Sequence, residues 1–262
     1  MKSFNYHSAS TVAEATGLAS KASAYLSGGM TMIPSMKMRL ASYKDVIDVK
    51  KIKQLHGIKV SSTSVTIGAA TKHAEVAQSK EIKKAIPALC TLAGKIGDAQ
   101  VRNRGTLGGS IANNDPTACY PSACLALNAI IHTSERKIEA AKFFTGMFET
   151  ALKKGELIVA VEFSIPEKSY YVKFPNPASR YAMVGVFVAK HKAGVQVAVT
   201  GAKAGIYREK AIEQALDKNF SEKALDNITI DSSDLNSDIH ASADYRASLI
   251  ISSAKQAVAH CK

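Results

Sequence analysis

Gly97-Asp98-Ala99-Gln100-Val101-Arg102-Asn103-Arg104-Gly105-Thr106-Leu107-Gly108-Gly109-Ser110-Ile111-Ala112-Asn113-Asn114-Asp115-Pro116 interrupts an otherwise regular chain. Glycine, asparagine, aspartate and proline crowd into it, between two patterned blocks. Such a density of turn formers predicts a long ordered loop, and long loops in compact domains are functional or disordered. Upstream, Thr71 to Ile96 carries helical periodicity broken at Pro87. Downstream, Ala129-Ile130-Ile131-His132 and Leu157-Ile158-Val159-Ala160-Val161 read as strands, the second closed by Pro166.

The N-terminal region is mixed. Phe4-Asn5-Tyr6 and Asp45-Val46-Ile47-Asp48-Val49 read as strands. Ser61-Ser62-Thr63-Ser64 reads as a hairpin turn between Val60 and Val65-Thr66-Ile67-Gly68-Ala69. Thr11-Val12-Ala13-Glu14 fits a capping box, and Val12, Ala15, Ala19 and Ala22 extend a helical spacing towards Leu26. Residues 167–180 form a composition break, with Tyr170-Tyr171 followed by Pro175-Asn176-Pro177, and the domain boundary is placed there. Beyond it, Met183 to Ala189 and Val195 to Val199 predict a hairpin. Helices are expected around Ala211–Leu216 and from about Ala241 to Ala259. The fold class is α+β in two domains, 1–168 (itself split near 55–60) and 169–262.

Composition excludes several classes. With 262 residues, 46% of them hydrophobic and 21% charged, the chain buries a core without disulfide staples and is not disordered. No apolar run approaches the ~20 residues of a membrane span. The start lacks a signal-peptide pattern and the four cysteines are scattered, so a reduced, cytoplasmic protein is expected. Cys119 and Cys124 begin a plant-type iron–sulfur spacing, but Leu127 stands where the third cysteine belongs, and no cluster is expected. The net charge of +12 is spread along the chain without interleaved aromatics, which argues against nucleic acid and leaves an acidic partner or an anionic cofactor. P-loop, Rossmann, zinc and nucleophile-elbow motifs are absent. His73 and His132 read as packing or surface residues.

Two diglycine loops remain, Ser27-Gly28-Gly29-Met30-Thr31 and Thr106-Leu107-Gly108-Gly109-Ser110. Glycine pairs adopt positive φ and admit close backbone approach. Successive N–H groups in such turns form a concavity for anions such as a diphosphate, and the flanking hydroxyls add hydrogen bonds. Taken alone, either loop is equally a tight turn after a strand.

Together with its context, the second loop closely resembles the signature of the FAD-binding medium subunit of molybdenum hydroxylases, the flavoproteins of carbon monoxide, xanthine and aldehyde dehydrogenases. Ser27 to Pro34 resembles the family's first FAD loop, and Lys37 to Leu40 continue the match. Gly155-Glu156-Leu157-Ile158, Pro177-Ala178-Ser179-Arg180-Tyr181-Ala182 and Asp244-Tyr245-Arg246 extend the similarity over nearly the whole chain.

The resemblance implies a two-part FAD-binding domain of the p-cresol methylhydroxylase type, followed by a small C-terminal domain with antiparallel sheet and helices. It implies FAD held by Ser27, Gly28, Gly29, Met30 and Thr31 and by Thr106, Leu107, Gly108, Gly109 and Ser110, with Leu157 also at the cofactor. Where the family has a D-P-x-A-D string this chain has Asp115-Pro116-Thr117-Ala118-Cys119. Cys119 removes a carboxylate acceptor, leaving Asp115 or Asn114 to supply one. Lys173 falls where the family has a lysine facing the flavin.

The resemblance further implies a molybdopterin-binding large subunit that oxidises substrate and a [2Fe-2S] small subunit that feeds electrons to FAD, which passes them to an external acceptor. The assembly expected is a dimer of heterotrimers. Two other readings stand beside it: a free-standing flavin oxidoreductase of the same fold, disfavoured by the short chain after Pro166, and a basic binding module without cofactor.

Overall fold

The computed structural model describes residues 1–261. Three sheets organise the chain. Strand Asp45–Asp48 lies between Asn5–Ser8 and Ser23–Leu26 in a small parallel sheet, with Ile47 opposite both His7 and Tyr25. A five-stranded antiparallel sheet follows in the order Ile58–Val60, Ser64–Gly68, Ile158–Ser164, Ile130–Thr133, Lys137–Glu139. The third is a four-stranded antiparallel sheet of Lys168–Pro175, Ala182–His191, Gly194–Thr200 and Tyr207–Arg208. The α+β expectation with a C-terminal antiparallel sheet is met.

Side-chain alternation explains how the third sheet joins the rest. Strand Ala182–His191 is buried on both faces. Val184, Val186 and Val188 face Ile212, Leu216, Leu249 and Ile250 of helices Lys210–Lys218 and Ala243–His260. Phe187 and Ala189 point the other way, with Tyr171, into the core built on helices Pro87–Gly94 and Tyr120–Ala126. Period-two alternation thus puts one strand in two cores. A hydrophobic cluster therefore runs across the expected boundary at 168–169.

Several sequence expectations are corrected. The helix expected to run towards Leu26 stops at Gly17, and Ser23–Leu26 is a strand. Parallel pairing to Asp45–Asp48 outweighs the alanine spacing, and Ser20 and Ser23 form a side-chain-stabilised turn between them (Ser20 N to Ser23 Oγ, 2.8 Å). The capping box is half formed: Thr11 Oγ1 accepts from Glu14 N, but the Glu14 carboxylate returns to Ser10. The helical stretch before Gly97 is broken at Ser79 as well as before Pro87, because Ser79 caps a new helix, Lys80–Ala85.

The stretch at 167–180 is not a linker. Its first half is an edge strand, Lys168–Pro175, and Pro175 is tolerated there beside a bulge at the strand's end. The stretch 97–117 is not a loop throughout. It holds helices Ala99–Arg104 and Leu107–Asn113, with Asp98 Oδ1 accepting from Val101 N (2.8 Å) and Thr106 Oγ1 from Gly109 N (3.3 Å). Two side-chain caps, each worth about 1 kcal/mol, offset the low helix propensity of two glycines.

Gly108 fixes where the second of these helices sits. A Cβ on it would lie 2.6 Å from Ala69 Cβ and 2.8 Å from Ala69 O, at the end of the five-stranded sheet. The Gly108→Ala variant is expected to lose about 2 kcal/mol, roughly 5 °C in melting temperature, measured on the purified chain by thermal denaturation.

Candidate cofactor site

The loop Ser27–Thr31 leaves the carboxyl end of a parallel strand, the usual ligand-binding edge of such sheets. It meets the second glycine motif directly. Ser27 Oγ and Thr106 Oγ1 are 3.0 Å apart and hydrogen-bonded. Gly28 rests on the backbone of Arg104 and Gly105, where a Cβ would collide with Arg104 O and lie 2.7 Å from Gly105 Cα. A cleft of about 760 Å³ opens at this junction and extends to the third sheet. That volume falls within the ~300–1,000 Å³ of small-molecule and cofactor pockets.

All the residues assigned to the cofactor line this cleft except Leu107 and Asn114. Leu107 is fully buried in the core beneath it. Asn114 ends its helix in a left-handed conformation (φ +43°), and its amide donates to Gly146 O and Glu149 O at 2.8 and 2.7 Å. It anchors the hairpin Phe144–Thr150 and does not line the cleft. Of the two residues expected to replace the missing carboxylate, only Asp115 lies on the cleft wall. Its Oδ1 already accepts from Thr117 N and Oγ1.

The two glycine motifs do different work. Of their four glycines only Gly29 has positive φ (+74°). Gly28 and Gly108 are needed for contact with protein backbone or side chain rather than with a ligand. Four of the five amides of the second motif are committed internally: Leu107 N to Thr71 O, Gly108 N to Ala69 O, Gly109 N to Thr106 Oγ1 and Ser110 N to Thr106 O. The N–H groups of Gly28, Gly29, Met30 and Thr31 make no hydrogen bond among the described residues, and all four residues line the cleft. A row of four consecutive unpaired backbone donors therefore belongs to the first loop. Gly109 contributes space: its missing Cβ would touch only Thr106 Oγ1, at 3.0 Å.

The far wall comes from the third sheet and its flanks. Lys173 Nζ donates to Lys95 O at 2.9 Å. Cys119 is buried on the wall as a free thiol. Burial, with Asp115 and Cys119 adding to it, raises the Tyr181 hydroxyl above its ordinary range.

Sequence reasoning missed three further wall residues. His73 was read as packing, yet it lines the cleft. Tyr25 donates its hydroxyl to Gly155 O at 2.6 Å and fixes the turn before Leu157. Glu156 accepts from Arg136 Nε, Thr133 Oγ1 and Lys153 N, while Arg136 also reaches Ala151 O. Spacing carries no sign of Glu156, since its side-chain partners Arg136 and Thr133 lie some twenty residues away.

Residues 2–167 match the family described as "FAD binding domain in molybdopterin dehydrogenase". The chain belongs to this family. It is 33% identical to the glyceraldehyde dehydrogenase medium chain of Sulfolobus acidocaldarius, over 85% of this chain and 83% of that one. It is 30% identical to the carbon monoxide dehydrogenase medium chain of Hydrogenophaga pseudoflava, over 97% and 96%. The solved carbon monoxide dehydrogenase of H. pseudoflava superposes with a TM-score of 0.88 at 28% identity, covering 98% of this chain and 96% of that one. This FAD-family chain is therefore an oxidoreductase subunit of the molybdenum hydroxylase type, with FAD as its cofactor. The free donors of Gly28–Thr31 and the cleft volume fit that group. Among the described residues there is no cluster of metal ligands and no helix long and apolar enough to cross a membrane.

Glu156 gives a test of how the cleft wall is held. Burial alone would raise its carboxyl pKa. The bonds from Arg136, Lys153 N and Thr133 outweigh this and lower it below 4.5. A lowered folded-state pKa means stabilisation that is complete above the ordinary value and lost as pH falls through the lowered one. The Glu156→Gln variant is expected to lose about 2 kcal/mol at neutral pH, less than a wholly buried pair because Arg136 is 40% exposed. Thermal denaturation should also show a smaller further loss for the variant than for the parent between about pH 5 and pH 3.

Proposed function

We propose that this chain is the electron-transfer flavoprotein of a molybdenum hydroxylase complex. The observation that carries the reading is the row of unpaired amides from Gly28 to Thr31, hydrogen-bonded through Ser27 to the second glycine motif. Residues 1–168 form the FAD-binding domain and 169–262 the C-terminal domain. Bound FAD supplies the redox chemistry, accepting electrons from a [2Fe-2S] subunit and releasing them to an external acceptor.

The chain's own residues bind and orient. The amides of Gly28, Gly29, Met30 and Thr31 donate to the diphosphate. The hydroxyls of Ser27, Thr106 and Ser110 serve the polar chain of the cofactor. Leu157 supplies apolar wall. Lys173, held by Lys95 O, places a cation on the far wall that would stabilise negative charge on a bound flavin. Asp115 and Cys119 border the same region.

The partners are a molybdopterin-binding large subunit and a [2Fe-2S] small subunit, assembled as a dimer of heterotrimers in the cytoplasm. The names of the relatives support this reading: a medium chain of carbon monoxide dehydrogenase and a medium subunit of nicotine 6-hydroxylase each imply a larger and a smaller companion.

Visible flavin absorbance of the purified chain tests the assignment. The native chain is expected to be yellow, or to become so on reconstitution with FAD. The Gly109→Asp variant, which fills space on the cleft wall with a carboxylate, is expected to retain less than about a tenth of the bound flavin. A native chain that stays colourless with excess FAD overturns the reading.

A further inference from the structure

His73 opens helix His73–Gln78, and its backbone N–H donates to Gly105 O at 3.0 Å. The adjoining Lys72 forms a β-bridge with Thr106. The residue is thereby fixed against the segment that begins the second glycine motif. Its ring lies between two rigid neighbours. On one side is the Tyr120 ring, tilted at 42° with centroids 5.4 Å apart. On the other is Gly105, where a Cβ would lie 2.7 Å from His73 Nε2 and 2.9 Å from Cδ2. Gly105 is therefore a glycine because the imidazole occupies the space of its side chain.

This tightly held ring is unsatisfied. His73 is 4% exposed and lines the cleft. Its Nδ1 is buried without a partner, and among the described residues neither ring nitrogen takes part in a hydrogen bond. Burial, with the Arg102 guanidinium adding to it, lowers its pKa to about 4, so the imidazole is neutral near pH 7 and offers one N–H and one lone pair. Buried polar atoms are almost always paired, and leaving one unpaired is strongly unfavourable. A fixed imidazole on a cleft wall with no partner in its own chain points to a partner that enters the cleft.

We propose that His73 is an FAD-binding residue, the Nε2 of its imidazole, which is unpaired and not sealed as Nδ1 is, hydrogen-bonding to the polar ribityl–diphosphate chain where the two glycine motifs meet. The proposal rests on the assignment of this cleft to FAD. It gives Tyr120 and Gly105 a shared role: they hold the ring in one orientation, so little rotamer freedom is lost when the cofactor binds.

The experiment is FAD titration of the full chain, stripped of flavin and followed by quenching of flavin fluorescence. Apolar His73→Leu is expected to weaken FAD binding at least tenfold. His73→Asn or His73→Gln, which restore an amide near one or other ring nitrogen, should recover most of that loss. The melting temperature of the FAD-free His73→Leu chain is expected to be no lower than that of the parent, because an unpaired buried polar atom has been removed. If the Leu variant does not fold, His73→Phe carries the same comparison. Unchanged affinity in the apolar variant, with the parent binding FAD normally, overturns the role of His73 and leaves the cofactor assignment intact. Equal loss in the Leu, Asn and Gln variants, with a lowered melting temperature, assigns His73 a packing role and also overturns the proposal. A parent chain that binds no FAD overturns both.

Discussion

The backbone of Gly28 lies directly on the backbone of Arg104 and Gly105, and no side chain larger than hydrogen fits between them. Two segments nearly eighty residues apart are thereby pressed together, and the Ser27–Thr106 hydroxyl pair closes the contact. The rest of the site depends on this junction. It joins the small parallel sheet, which carries the first loop, to the helices packed on the five-stranded sheet. The cleft exists because these two bodies touch at their glycines and diverge beyond them.

That contact also divides the hydrogen bonding. The start of the second motif, Thr106 to Gly108, is buried against Thr71 and Ala69, and the amides of Leu107, Gly108, Gly109 and Ser110 find partners on Thr71, Ala69 and Thr106. The first loop lines the cleft, and the amides of Gly28 to Thr31 make no hydrogen bond among the described residues. Similar glycine patterns therefore have unlike roles. One positions a helix, and the other presents donors. Local sequence cannot distinguish them, because the difference lies in which strand end runs beside each.

Much of the fold was legible where the pattern was local. The hairpin at Ser61–Ser64, the strand Asp45–Asp48 and the last helix follow from alternation, spacing and capping residues. Reading failed where a tertiary partner decided. Ser23–Leu26 has a helical alanine spacing upstream but pairs with a strand some twenty residues later. Lys168–Pro175 is rich in turn formers at one end, yet Tyr171 and Val172 feed two different cores. At the site, resemblance supplied both glycine motifs and Lys173. It did not supply His73, and it covered Glu156 without giving it a role; the significance of both comes from what surrounds them: an unpartnered nitrogen in one case, a distant arginine in the other.

The charges of the cleft follow the same logic of prior engagement. Its acidic side chains are already occupied: Asp98 caps a helix, Asp115 closes a turn, and Glu156 holds Arg136 and Thr133. Its donors are not: the amides of the first loop are unpaired, and Lys173 uses one N–H on Lys95 O and keeps the others. A cleft whose acidic side chains are each engaged within the chain and whose backbone donors are left open favours an anionic ligand without a cluster of arginines. The net charge of +12 then adds only a diffuse, salt-screened attraction, while recognition rests on backbone donors fixed in place by two glycines.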